Sequence, residues 1–205
     1  MGLYQDKVVP RLVDLACGQP ALDPWRARAT EGLSGQVVEI GFGSGHNVPH
    51  YPPEVHTVLA VEPAALARRR ATGRVAGSRV VVEHIGLDGQ EIPLDDATCD
   101  SALCTFTLCT VPDPAQALAE LRRVLRPGGA IHFLEHGLSP DPGVARWQHR
   151  LDPVQRRLAD GCHLSRDALL LVGDAGFVLR HVEQRYARGP KPWSYMTLGV
   201  AVRPA

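Results

Sequence analysis

Short apolar runs rich in β-branched residues recur along the first two thirds of the chain and alternate with helical patterns. The runs cover residues 36–40, 56–61, 78–84, 101–105 and 130–134. Continuous apolar runs of this length are typical of strands that are covered on both faces, as in a parallel sheet. Helical patterns lie between them at 64–72 and 114–125. This alternation predicts right-handed βαβ crossovers and a doubly wound α/β fold.

The last part of the sequence predicts a different kind of pairing. Two further strands are expected at 177–186 and 194–203, with Gly189-Pro190 between them. Because no helix fits into that gap, the two strands should pair antiparallel. The expected fold is therefore a mostly parallel seven-stranded sheet with helices on both faces and a C-terminal antiparallel hairpin.

A chain of 205 residues has the length of one domain, and we expect a single domain over 1–205. Residues 1–35 are predicted to form an N-terminal helical cap, whose apolar stripe consists of Leu3, Val8, Leu12 and Leu15. Residues 137–175 are predicted to form a helical insert or lid, with helices at 144–158 and 167–175.

The helix predicted at 144–158 is amphipathic, with apolar residues at Val144, Trp147, Leu151, Val154 and Leu158. This spacing favours packing of the helix on the core. Its polar side is rich in arginine, which is also typical of helices that lie on a lipid surface. Besides packing on the core, this helix could therefore serve as a lid, a dimer contact or a peripheral membrane contact.

Composition excludes several classes of protein. Lys and Arg number 22, as do Asp and Glu, so the basic excess of a typical nucleic-acid binder is missing. No apolar run approaches the roughly 20 residues that span a bilayer, and charged residues in 1–17 argue against a signal peptide. The cysteines are five, an odd number, without a CxxC pair. Structural disulfides and structural zinc sites are therefore not expected. The same cysteine usage predicts a cytoplasmic location.

A glycine-rich loop follows the first predicted strand. It reads Glu39-Ile40-Gly41-Phe42-Gly43-Ser44-Gly45, and an acid, Glu62, ends the second strand. Glycines let the backbone approach a ligand closely, and an acid at the end of the second strand can accept both ribose hydroxyls. These two features also fit a dinucleotide site. Two details argue against a dinucleotide. The spacing is GxGxG, so His46 stands where the third glycine of GxGxxG would be, and residues 46–53 are a poor start for the helix that would hold a pyrophosphate.

The motifs together resemble those of the class I S-adenosylmethionine (SAM)-dependent methyltransferases of the type 11 group. The resemblance runs from about residue 37 to residue 135. It includes the glycine loop, the acid Glu62, the segments 88–93 and 100–111, and the helix-then-turn signature at 121–129. The motifs occur in the order and spacing of that family, which makes the combination more specific than any single motif.

A closer resemblance is to methyltransferase-like thiol S-methyltransferases. It rests on Asn47, on Tyr51-Pro52-Pro53, and on the segments 103–111, 133–136, 160–166 and 191–199. Those relatives carry an apolar, membrane-anchoring N-terminal segment, and this sequence departs from them there.

The resemblance implies SAM as the cofactor and assigns contacts to it. Glu39 would orient the amino-acid end, Glu62 would hold the ribose hydroxyls, and Asp88 would accept the adenine amino group. The full set of implied cofactor-binding residues is Glu39, Gly41, Phe42, Gly43, Gly45, Asn47, Glu62, Pro63, Asp88, Gly89, Cys104 and Thr105.

The implied reaction is in-line displacement at the sulfonium methyl group, for which the protein mainly aligns the reactants and excludes water. His136, after the fifth strand, and His163, in the predicted lid, are candidate bases or acceptor contacts. Each could equally be a structural histidine. The spacing of His46, His50 and His56 does not fit a metal site, and none is expected.

The leading interpretation is an enzyme that methylates a small-molecule acceptor, with a thiol as one candidate and a lipid or quinone as the alternative. A non-catalytic SAM-binding protein is the alternative from another class, and an NAD-dependent oxidoreductase is more distant. No nucleic-acid partner is expected. The chain is expected to be a monomer or a homodimer.

Overall fold

The computed structural model describes residues 9–205, and its seven strands form one sheet in the order β3-β2-β1-β4-β5-β7-β6. Strands β1 to β5 are mutually parallel, and β7 runs antiparallel to both β5 and β6. The strands are β1 Gly35–Ile40, β2 Val55–Val61, β3 Val81–Gly86, β4 Cys99–Thr105, β5 Leu125–His136, β6 Val178–Tyr186 and β7 Tyr195–Val202. The predicted fold class and the C-terminal hairpin are confirmed.

Seven helices accompany the sheet in the described part of the chain. They are α1 Val9–Cys17, α2 Asp23–Thr30, α3 Ala65–Ala76, α4 Pro114–Val124, α5 Pro142–Leu158, α6 Ala168–Asp174 and α7 Lys191–Ser194. Short 3₁₀ turns lie at Pro20–Leu22 and Val48–His50. Residues 1–8 of the expected N-terminal cap, with Leu3 and Val8, lie outside the described residues. In α1, Leu12 and Leu15 are largely exposed.

Two apolar layers enclose the sheet because successive residues of a strand point to opposite faces. In β1, Val38 and Ile40 join the core beneath α4 and α6, whereas Val37 joins the core on the α3 side. Helix α4 begins where the Asp113 carboxylate accepts a hydrogen bond from the Gln116 amide, 3.0 Å away. It buries Ala117, Leu118, Leu121 and Val124, the spacing of one helix face.

Strand β5 is longer than the apolar run predicted. It begins at Leu125 rather than at residue 130, because Leu125 pairs with Cys99 and the backbones of Gly128 and Gly129 form hydrogen bonds with Arg203. The register between β4 and β5 is irregular at this point, which accommodates the extra residues.

Helix α5 forms where it was predicted, but the expectation that its apolar stripe packs on the core is wrong for most of the stripe. Trp147, Val154 and Leu158 are each more than half exposed, and only Val144 and Gln148 are buried. The helix is attached by polar contacts of Gln148. Its amide donates to the carbonyls of Gly137 (2.9 Å) and Pro192 (3.0 Å) and accepts from the Ser139 amide (2.9 Å). Among residues 9–205, no helix combines the length and apolarity needed to cross a bilayer.

Replacing Gln148 with leucine should destabilise the fold without changing side-chain bulk greatly. It would leave up to two buried backbone groups and one partly buried carbonyl without partners, so the free energy of unfolding should fall by about 2–4 kcal/mol. Urea unfolding followed by circular dichroism measures this. Gln116→Leu, at an exposed position of α4, is the matched control and should change it little. Equal stability of the two variants would contradict the anchoring role of Gln148.

Candidate active site

The glycine loop lies where the strand order reverses. The chain leaves β1 for β2 on one side, and it later returns to β4 on the other side of β1. Ligands of open α/β sheets bind at the carboxyl ends of the strands at such a reversal. Gly41 opens the loop with φ of +71°, and a Cβ there would lie 2.0 Å from Oγ1 of Thr107. Only glycine meets both conditions, so β1 and β4 approach each other closely at this edge.

Glu62 ties the ends of β1 and β2 together. Its carboxylate accepts hydrogen bonds from the amides of Gly43 (2.8 Å) and Ala64 (2.7 Å). Burial raises the pKa of this carboxyl against the lowering effect of the two amides. A carboxylate has about four acceptor positions, so two bonds leave capacity for ribose hydroxyls. A Cβ on Gly43 would meet only the Gly41 carbonyl, at 3.8 Å, so space is open beside this amide.

Glu39 lies directly beneath the loop and is fully buried. One carboxylate oxygen accepts from the Asn47 amide, 2.8 Å away, and the other accepts from the Tyr51 hydroxyl. Burial raises the pKa of Glu39 to about 7, although both hydrogen bonds and the charge of Arg26 act in the opposite direction. The network therefore holds the loop from below and places a titratable carboxyl next to it.

Arg26, in α2, completes this network, although no motif in the sequence indicates it. Its guanidinium donates to Oδ1 of Asn47 (2.7 Å), Oγ1 of Thr105 (3.3 Å) and the carbonyl of Cys17 (2.9 Å). It also lies 5.4 Å from the ring centre of Phe106. Only 3% of the residue is exposed. A single arginine in a short helix with several polar residues gives no local sign that it is buried.

The end of β4 directs its two predicted site residues to opposite sides. Cys104 is fully buried in the core beneath α4, whereas Thr105 joins the polar network and accepts from Asn47, 2.9 Å away. Phe106 follows with φ of +56°, an uncommon conformation for a bulky residue that is typical of functional sites. The turn at 107–109 is fixed by Glu135, whose carboxylate accepts from three consecutive backbone amides at 2.8, 2.9 and 3.3 Å. No sequence motif indicates this role of Glu135.

The loop after β3 reaches the same edge of the sheet. A Cβ on Gly89 would lie 3.4 Å from Ile40, the last residue of β1. Asp88 is exposed, and its carboxylate accepts from the Gln90 amide, 2.8 Å away. Pro63, after Glu62, is exposed as well. The structure thus brings the loops after β1, β2 and β3 together.

The two histidines considered as bases have different surroundings. His136, at the end of β5, has Nε2 3.1 Å from Sγ of Cys162, while its buried Nδ1 has no hydrogen-bond partner. Its ring is stacked with that of Phe106 at 6.5 Å between centres. His163 instead pairs with Asp152, 3.1 Å from Nδ1 to the carboxylate. His136 therefore lies at the carboxyl edge of the sheet, whereas His163 is held by a partner in α5.

The three histidines weighed as metal ligands do not converge. His46 pairs with Asp14 at 2.8 Å, His50 lies 3.7 Å from Asp23, and His56 is exposed on β2. A different group of metal-binding residue types does converge, namely Cys109, His136 and Cys162.

Comparison with known proteins agrees with this geometry. A family described as "Methyltransferase domain" matches residues 38–133. Thiol S-methyltransferase TMT1B of Rattus norvegicus is 33% identical over 175 residues, which cover 82% of this chain and 70% of that protein. Phosphatidylethanolamine N-methyltransferase of Cereibacter sphaeroides is 30% identical over 72% of this chain and 71% of its own.

Among solved structures, geranyl diphosphate methyltransferase in complex with SAM is similar with a TM-score of 0.69 and 17% identity, over 88% of this chain and 83% of that one. The chain belongs to the class I SAM-dependent methyltransferases, and SAM is its cofactor. The loop, the acid at the end of β2 and the open space beside Gly43 fit that cofactor.

The pKa of Glu39 predicts how stability depends on pH. Its folded-state pKa of about 7 lies above the unfolded value near 4.5, so the folded state binds the proton more tightly. Its contribution to stability should therefore be lost as pH rises from about 4.5 through about 7. Relative to wild type, Glu39→Gln should gain on the order of 2–3 kcal/mol in unfolding free energy between pH 5 and pH 8.

Urea unfolding of wild type and Glu39→Gln at pH 5 and pH 8 measures this difference. Groups that titrate alike in the two proteins cancel when their unfolding free energies are subtracted. Glu31→Gln, at an exposed position after α2, is the matched control and should run parallel to wild type. A wild-type-like pH profile for Glu39→Gln would contradict the raised pKa.

Proposed function

We propose that this methyltransferase transfers the methyl group of SAM to the sulfur of a small-molecule thiol. The observation that carries the proposal is the 33% identity to thiol S-methyltransferase TMT1B over 82% of the chain, which extends well beyond the part that matches the methyltransferase family. A thiol also suits the site chemically, since its reference pKa of about 8.5 makes it easier to deprotonate than a phenol, an aliphatic hydroxyl or a lysine-type ammonium group.

The cofactor contacts follow from the positions of the loops. Glu62 would accept the ribose hydroxyls with the lone pairs that its two amide contacts leave free. The loop of Gly41, Phe42, Gly43 and Gly45 would lie along the amino-acid end, with Glu39 and Asn47 beneath it. Asp88 and Gly89 would face the adenine, and Pro63 and Thr105 would border the site, whereas Cys104 would support it from the core beneath α4.

SAM would supply an electrophilic methyl group, and its sulfur would depart from that carbon as a neutral thioether without acid catalysis. The chain's own residues then have to orient the acceptor and keep water away. His136 is the better placed of the two candidate histidines, because it lies at the carboxyl end of β5 beside Phe106 and has a ring nitrogen without a partner. We assign acceptor contact to His136. His163 remains the second candidate, and its pairing with Asp152 favours a structural role.

A lipid acceptor is the second candidate function. The relative that acts on phosphatidylethanolamine favours it, and so does the exposed apolar side of α5 with Trp147 and Val154. Arg146, Arg150 and Lys191 border a cavity of about 490 Å³ on the same side of the molecule. A peripheral membrane contact would suit such an acceptor.

The five free cysteines support a reducing compartment, the cytoplasm.

Calorimetric titration with SAM tests the cofactor site. Wild type should bind SAM, and Glu62→Gln should weaken binding by about 10- to 100-fold because ribose hydroxyls lose a charged acceptor. Glu83→Gln, at an exposed position of β3, is the matched control. Unchanged affinity in Glu62→Gln, or binding of NADH in place of SAM, would contradict the assignment.

Transfer of a labelled methyl group from SAM tests the acceptor. Small aliphatic and aromatic thiols should be methylated, while phosphatidylethanolamine vesicles and a quinol should not. His136→Gln should lower kcat by at least about tenfold, and His149→Gln, exposed on α5, should leave it unchanged. Methylation of the lipid alone would favour the second candidate function, and methylation of the quinol alone would contradict both candidates. SAM binding without turnover on any acceptor would indicate a non-catalytic protein.

A further inference from the structure

Cys109, His136 and Cys162 form a compact group of soft ligand atoms. Sγ of Cys162 lies 3.1 Å from Nε2 of His136 and 3.9 Å from Sγ of Cys109, and the three atoms all lie within 4.8 Å of one another. Both cysteines are buried, and His136 is partly buried. They come from three separate segments, the turn after β4, the end of β5 and the turn after α5.

The two separations that involve Cys162 are close to those of a tetrahedral metal site. Zn–S bonds of about 2.3 Å and Zn–N bonds of about 2.0–2.1 Å at tetrahedral angles place neighbouring ligand atoms roughly 3.5–3.8 Å apart. The observed 3.9 Å between the sulfurs needs almost no adjustment, and the 3.1 Å between nitrogen and sulfur needs a few tenths of an ångström. Thiolate and imidazole are the donors that zinc prefers.

The backbone holds the two cysteines in place independently of any ion. The amide of His163, next to Cys162, donates to the carbonyl of Cys109 at 2.7 Å. The amide of Cys109 donates to Glu135, and Arg166 donates to the carbonyls of Leu108 and Val111, both at 2.7 Å. Such a site is largely formed before the ion binds, which reduces the cost of ordering the ligands.

Three protein ligands leave one position of a tetrahedral ion open, which is the arrangement of catalytic rather than structural zinc sites. Glu135 does not fill that position, since its carboxylate accepts from the amides of Thr107, Leu108 and Cys109. The group also lies at the carboxyl edge of the sheet, where β4 and β5 end.

We propose that Cys109, His136 and Cys162 bind a thiophilic divalent cation, Zn²⁺, whose fourth position receives the acceptor thiol. Binding of the cation rests on the geometry alone, and the role of the fourth position rests on the proposed function. The acceptor gives its S–H proton to solvent on coordination, because a metal-bound thiol is held as the thiolate. Its sulfur then bonds to the methyl carbon, and the methyl–sulfonium bond breaks with both electrons passing to the departing sulfur. The neutral thioether is a weaker ligand and leaves.

Cobalt(II) titration of the reduced, metal-stripped full chain tests the site. Wild type should bind about one Co²⁺ per chain with the visible bands of tetrahedral cobalt and a sulfur-to-cobalt charge-transfer band, and Zn²⁺ should displace it. Cys109→Ser and Cys162→Ser should each lose most of the charge-transfer intensity. Cys99→Ser, at the opposite end of β4, is the matched control and should keep the full spectrum.

X-ray absorption of the zinc-loaded wild type gives the ligand set without any variant, should the serine proteins fail to fold. Two sulfur ligands and at least one nitrogen ligand would support the proposal. No tetrahedral spectrum in wild type, a spectrum retained by both serine variants, or a shell of oxygen and nitrogen alone would overturn it.

Calorimetric SAM binding and thiol methylation on the same samples separate this inference from the proposed function. SAM binding and thiol turnover that persist at full rate without any metal would overturn the role of the cation and leave the proposed function standing. Cobalt binding by the three residues without thiol turnover would leave the metal site standing and overturn the proposed function.

Discussion

The buried guanidinium of Arg26 is the contact on which the arrangement of the site depends. A charge in the interior is tolerated only when it is paired and hydrogen-bonded, and Arg26 meets Asn47, Thr105 and a backbone carbonyl while Glu39 lies one hydrogen bond further on. Because Arg26 belongs to α2, this network fastens the N-terminal helices over the carboxyl edge of the sheet. The same atoms therefore hold the glycine loop, close one side of the site and explain why a fully buried carboxyl is present at all.

The reversal of strand order between β1 and β4 explains where the other residues of the candidate site lie. It leaves a gap at the carboxyl edge, bordered by the loops after β1, β2 and β3 on one side and by the ends of β4 and β5 on the other. The glycine loop and Glu62, which are proposed to bind the cofactor, lie on the first side, while Phe106, His136 and the two cysteines lie on the second. Under the proposed function, the first side would hold the methyl donor and the second side the acceptor.

The sequence predicted what local periodicity and motif spacing encode. All seven strands, their mixed direction and the positions of the glycine loop and Glu62 were predicted correctly, since apolar runs and turn residues are properties of neighbouring positions. Arg26 and Glu135 were missed because their partners lie far away in the sequence. The convergence of Cys109, His136 and Cys162 was missed for the same reason, since no spacing rule connects residues of three different segments. The exposed stripe of α5 was misjudged because an amphipathic pattern identifies an apolar face but not what covers it.

Strand β7 lies between β5 and β6, although it is the last of the seven to be synthesised. Strand β6 has no other neighbour in the sheet, so both of its edges are unpaired when it leaves the ribosome. It can pair with the sheet only after residues 195–202 have been synthesised. The parallel half, with its cofactor loops, has all of its strands by residue 136. Assembly on the ribosome can therefore proceed in two stages, in which a nascent chain forms the parallel half first and completes the sheet only when the C-terminal hairpin folds back.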